Sequence, residues 1–134
     1  MIKVNEYLVR SLLGPLGGTV DKDDQVSLQL SNVDNNNELQ VKQVINDIIL
    51  PFYFSSSNQY KINTKNSLGY FLTTNSMDFG YHFDSYLIAF DHPENPRSFF
   101  LWIWEVLFPH EDYHIQNAND YIEIEDIDEP YNYL

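Results

Sequence analysis

Two periods alternate along the chain. From Ile2 to Leu13 the residues Val4, Leu8 and Leu12 recur at helical spacing, and Gly14-Pro15 reads as a helix stop. The stretch from Gly17 to Asp24 reads as a loop. Between Gln25 and Leu30 the period becomes two, with Val26, Leu28 and Leu30 on one side and Ser27 and Gln29 on the other, as in a half-buried strand. Asn35 then offers a helix cap, with Glu38 placed to return the bond. Val41, Val44, Ile45, Ile48 and Ile49 form the apolar stripe of that helix, and Pro51 is expected to end it.

From Phe52 onward the pattern predicts β-structure. Tyr70–Leu72 and Tyr81–Phe83 alternate in one phase and Tyr86, Ile88 and Phe90 in the other, which implies a strand break at Asp84-Ser85. A two-proline loop over 92–98 leads to the nearly all-apolar run Phe99–Phe108, read as a strand covered on both faces. Pro109 to about Ala118 suits a short helix, with proline in its first position and Glu111 and Asp112 in its first turn. Tyr121 to Glu125 reads as a last strand, with Ile122 and Ile124 inward and Tyr121, Glu123 and Glu125 outward, and 126–134 as an acidic, flexible tail. The expected fold is a single α+β domain over 1–134. Its C-terminal two-thirds would be mainly antiparallel β-sheet, with two N-terminal helices packed on it.

Length permits one core. A chain of 134 residues should expose roughly 7,300 Å² when folded against about 22,900 Å² unfolded. No cysteine is present, which excludes disulfide scaffolds, thiol catalysis and cysteine-bound zinc. The longest apolar run is too short for a membrane helix, which needs about 20 residues. Glu6 and Arg10 interrupt what would be the apolar part of a signal peptide, and no Asn-x-Ser/Thr acceptor occurs. These features point to a cytoplasmic protein.

Charge changes the picture most. The net charge is −13, of which residues 1–67 carry −1 and residues 68–134 carry −12. Residues 105–134 hold nine acids and no lysine or arginine. Sixteen of the 21 aromatic residues also lie after position 67. Such a surface repels nucleic acid and anionic lipid and favours basic partners. An edge strand kept from aggregating by charge accounts for two or three of these acids, not for nine without a counter-charge. Tyrosines among carboxylates suit a recognition surface in which rings anchor and charges steer. The candidate partner-binding residues are Glu111, Asp112, Tyr113, Asp120, Tyr121, Glu123, Glu125, Asp126, Asp128 and Glu129.

One catalytic pattern occurs. His110-Glu111-Asp112-Tyr113-His114 fits H-E-x-x-H, in which two imidazoles one helical turn apart share a zinc ion while the glutamate polarises its water. The five residues resemble the metalloprotease helix motif. Pro109 places His110 in the first turn, Asp112 adds a charge, and the remaining acids Glu123, Glu125 and Glu129 already suit an acidic surface, so solvated histidines are the preferred reading. His82 and His92 sit among aromatic residues and read as core or edge histidines. Asp21, Asp23 and Asp24 lack the glycine and closing glutamate of a calcium loop. No nucleophile elbow or phosphate-cradling glycine loop is present. No cofactor and no catalytic residue is expected.

A small, cysteine-free, strongly acidic α+β domain with an aromatic acidic face resembles bacterial toxin-immunity proteins of the contact-dependent growth inhibition type. The resemblance is one of composition and spans the whole chain. It implies tight binding of a cognate basic toxin domain, often a nuclease, whose active site or nucleic-acid surface would be covered. The alternative of the same charge is a phage- or plasmid-encoded nucleic-acid mimic, an anti-restriction or anti-CRISPR inhibitor. A small zinc hydrolase on His110, Glu111 and His114 is the distant one. Direct binding of nucleic acid or membrane is not expected, and the oligomeric state is left open.

Overall fold

A computed structural model describes residues 1–21 and 24–133. It is mostly helical, so the expected antiparallel sheet is overturned. The order is β1 (Ile2–Val4), α1 (Glu6–Ser11), α2 (Gln25–Ser31), α3 (Glu38–Val44), α4 (Leu50–Ser55), α5 (Asn58–Thr74), α6 (Phe79–Asp84), α7 (Pro96–Leu107) and β2 (Tyr121–Glu123). Short 3₁₀ turns occupy Gly14–Leu16, Thr19–Asp21, Ala118–Asp120 and Glu129–Tyr133. β1 and β2 pair in parallel, Ile2 opposite Tyr121 and Val4 opposite Glu123.

Polar caps write the helix starts. Asn5, Asp24, Asn37, Ser57, Asp78 and Asn95 each accept a backbone N–H from the first turn of α1, α2, α3, α5, α6 and α7. α3 is therefore capped by Asn37, not Asn35, and Glu38 opens it. Nor does Pro51 end it. A π-helical segment, Ile45–Ile49, joins α3 to α4, and Pro51 falls in the first turn of α4, where its missing N–H costs least. The stripe itself is as expected, with Val41, Val44, Ile45 and Ile49 buried and Ile48 half-buried.

Four strands expected from sequence lie in helices, and a fifth, over 86–90, is neither strand nor helix. Gln25–Ser31 is α2, which buries Leu30 and leaves Val26 and Leu28 exposed. The Phe52–Phe83 region forms α4, α5 and α6. Phe99–Phe108 lies mainly in α7, whose buried residues Phe99, Phe100, Ile103, Trp104 and Leu107 follow helical spacing while Glu105 points to water. Asn95 and Pro96 supply its cap and first residue. Asp84-Ser85 is indeed a boundary, but it is the end of α6. Ile2–Leu13 divides into β1 and α1, and Val4, Leu8 and Leu12 are all buried.

The core gathers around α5, which packs on β1, α1 and α7, while α7 also touches α3, α6 and the π segment. Phe71, Phe83, Phe99 and Phe100 are fully buried there. Each such side chain contributes about 1.5–3 kcal/mol through removal from water. The folded surface is 7332 Å². Among the described residues no helix is long and apolar enough to cross a membrane.

Candidate functional site

The expected Pro109–Ala118 helix is absent, and the reason is local. Phe108 precedes a proline and leaves the helical region, with φ −129° and ψ 58°. His110 then adopts a left-handed φ of 77°. The chain turns and runs back across α5: Trp104 Nε1 donates to the Glu111 carbonyl at 2.8 Å, and the Ile115 N–H donates to Thr73 Oγ1 at 3.2 Å. Gly69 lets this strap approach, since a Cβ there would stand 3.1 Å from the Tyr113 carbonyl oxygen. His110 and His114 are thus not one helical turn apart. His114 Nδ1 instead pairs with Asp112 Oδ1 at 2.6 Å, and its ring stacks on Tyr113. Bonds from the His114 backbone and side chain hold the Asp112 carboxyl below its ordinary pKa. Among the described residues no group of three or more acidic or histidine side chains is arranged to hold a metal ion.

The ten candidate residues fall into two groups. Glu111, Asp112 and Tyr113 belong to the strap, which lies over the Lys65, Gly69 and Thr73 flank of α5. There Glu111 meets Lys65 at 2.8 Å, and Arg97 donates to the Tyr113 hydroxyl at 3.0 Å. Asp120 to Glu129 lies on another flank of α5. Asn5 N donates to Ser67 Oγ beneath it, and Tyr70 OH donates to Glu123 Oε2 at 2.8 Å. At about 100° per residue, positions 65, 69 and 73 point well away from 63, 67 and 70. The charge of the two groups differs accordingly. Among the described residues, none of Asp120, Glu123, Glu125, Asp126, Asp128 and Glu129 is ion-paired.

That second segment is tied to β1 and to the start of α1. The Ile124 N–H donates to the Val4 carbonyl at 2.8 Å, continuing the β1–β2 ladder. Asn5, buried at the start of α1, donates from Nδ2 to the Asp126 carbonyl and to Glu129 Oε1, while its Oδ1 caps Tyr7 N–H. Tyr133 donates to Glu129 Oε2 and accepts from Asn63, and its ring meets Tyr60. At the start of β2 the expected order fails, with Tyr121 half-buried against Tyr70 and Ile122 47% exposed, whereas Glu123 and Glu125 are exposed and Ile124 is half-buried, as expected. With Ile127 and Tyr131 also exposed, apolar side chains stand among the carboxylates.

The field of this segment is visible on Glu6. Burial raises its carboxyl above the ordinary value, the charges of Glu125 and Glu123 raise it further, Arg10 lowers it in part, and Asp78 adds a smaller upward push.

The chain matches no protein-family model, no curated protein and no solved structure. Its own geometry has to carry the functional reading.

Sequence reasoning missed one feature, a cleft of about 380 Å³ beside the acidic segment. Its lining comes from α1 (Tyr7, Arg10, Ser11), from Phe52 and Tyr60, from Tyr86, and from residues 127–133. Tyr60 and Tyr86 are pushed above the ordinary phenol range by burial, so both remain protonated at neutral pH. Five tyrosines spread over the sequence show no common period, so only the packing of the last segment against α1 and α5 reveals them as neighbours.

Proposed function

We propose that the chain is a protein-binding inhibitor of the toxin-immunity kind, and that Asp120–Glu129 receives a basic partner such as a nuclease-type toxin domain. The observation that carries this reading is the segment itself. Six carboxylates without a cationic partner among the described residues stand with exposed Ile122 and Ile127, on a backbone pinned by Asn5 and by the Val4 carbonyl. Unpaired carboxylates in a row cost self-repulsion, which a basic partner relieves. Apolar residues among them supply the desolvated contacts that charge alone does not. Glu111, Asp112 and Tyr113 fall outside this proposal, because Glu111 pairs with Lys65, Asp112 bonds His114, and the Tyr113 hydroxyl accepts from Arg97.

The test uses the intact chain as bait in lysate of the native host, followed by association rates for the captured protein. Asp120→Lys, Glu125→Lys and Asp128→Lys together should slow association at least tenfold and flatten its salt dependence. Asp47→Lys, Asp91→Lys and Glu94→Lys alter net charge equally and should leave a rate nearer to the original. If both triples slow binding alike, or no stoichiometric basic protein is captured, the reading fails.

A further inference from the structure

The cleft between α1, Phe52, Tyr60 and residues 127–133 is a different kind of site from the acidic segment, and its chemistry centres on Arg10. In a chain of net charge −13, Arg10 is in no ion pair with any described residue. It is half-buried, and its guanidinium lies over the rings of Tyr7 and Tyr86 at 5.2 and 6.0 Å from their centroids. The guanidinium also bonds the Tyr86 side chain and feels the charge of Glu6 one turn before it. Held in this way it is fixed in orientation, and its remaining N–H donors can face a planar anion. Asp128, the cleft's carboxylate, does not reach Arg10 and is exposed, so water and salt screen it.

The remaining walls are aromatic and held. Ser11 Oγ and Tyr60 OH share a hydrogen bond of 2.6 Å, and the Tyr133 hydroxyl is engaged by Glu129 and Asn63. Their polar ends are thereby satisfied without a ligand, and the rings offer apolar surface. A volume of about 380 Å³ lies within the range of small-molecule sites. A cationic occupant is disfavoured, because Arg10 already sits over two of the ring faces and would repel it.

We propose that this cleft binds a small planar aromatic molecule bearing one carboxylate-like anion, with the anion on Arg10 and the ring system among Tyr7, Tyr60, Tyr86 and Tyr131. The cleft shares Ile127 and Asp128 with the segment proposed above to receive a basic partner, but its occupant and its test do not depend on that reading.

The test is a ¹⁵N NMR titration with three isosteric probes, 2-naphthoate, 2-naphthamide and 2-naphthamidine. Naphthoate should saturate with shifts confined to Tyr7, Ser11, Gly14, Tyr60, Tyr86 and Tyr131, at least tenfold more tightly than naphthamide. Arg10→Gln should remove that preference and leave naphthamide binding as it was; Arg10→Lys, which keeps charge without the fork, should retain part of it. The spectrum of each variant reports its folding, and the wild-type comparison of the three probes stands even if Arg10→Gln unfolds. Naphthamide or naphthamidine binding as tightly as naphthoate, shifts outside the cleft, or no saturation by naphthoate at millimolar concentration would overturn the proposal.

Discussion

Lowering the pH should destabilise the fold through His82. This side chain is 2% exposed on α6, between Tyr7 and Tyr81, with ring centroids 5.3 Å away in both pairs. Its Nδ1 has no hydrogen-bond partner among the described residues, and Nε2 lies 3.4 Å from Glu6 Oε1. Burial, followed by the positive charge of Arg10, pushes the imidazole down to about 4, against a partial pull upward from Asp78. In the unfolded chain the group returns to about 6.5. Above that pH it is neutral in both states and adds no pH dependence. Below it, the unfolded chain takes up a proton that the folded one excludes, so stability falls until the pH reaches the folded value. Linkage over that interval amounts to about 2 kcal/mol lost by pH 5 and about 3 kcal/mol by pH 4. Glu6 acts in the opposite sense: its raised carboxyl contributes stability at low pH that is lost as pH rises. Other carboxylates titrate too, so the comparison is with His82→Gln, which keeps them and removes the imidazole. Urea unfolding of both proteins from pH 7.5 to 4.5 should show wild type losing about 2 kcal/mol more than the variant by pH 5. Parallel curves, or an NMR midpoint for His82 at 6.5 or above, would refute the reasoning.

Two further substitutions probe how the last segment and the strap are held. Asn5→Ala removes the α1 cap and both bonds to Asp126 and Glu129, and should cost about 2–3 kcal/mol in urea unfolding. Amides 124–133 should then exchange faster than those of α7, and unchanged protection would mean that Asn5 does not anchor the segment. Gly69→Ala sits inside α5, where alanine ordinarily gains about 1 kcal/mol over glycine. Here the new Cβ would stand 3.1 Å from the Tyr113 carbonyl and 3.5 Å from Trp104, so the gain should vanish or turn into a loss. A full gain in the thermal midpoint would show that the strap is not packed as described.

What was legible in the sequence was mostly burial and punctuation. Val4, Leu8 and Leu12, which recur at helical spacing, and Val41, Val44, Ile45 and Ile49 of the apolar stripe are all buried, because apolar side chains must leave water in any fold this chain adopts. The break at Asp84-Ser85 survived for a related reason: a polar pair between apolar runs marks a boundary whatever lies on either side. The type of element was decided elsewhere. An apolar run such as Phe99–Phe108 satisfies a buried strand and a buried helix equally, and only its contacts with α3, α5 and α6 make it a helix. The capping residues Asn95, Ser57 and Asp78 carried the helical signal locally, but each becomes a cap only once the next turn is wound. Composition alone located the excess of acid after residue 67, since charge can be counted without coordinates. Which acids stay unpaired could not be counted. Lys65 pairs with Glu111 and His114 bonds Asp112, while among the described residues Asp120–Glu129 meets no cation, because the strap and the last segment lie on different flanks of α5. The tyrosine cleft is wholly tertiary: Tyr7, Tyr60, Tyr86, Tyr131 and Tyr133 share no period, and they meet because Asn5 ties the last segment down over α1.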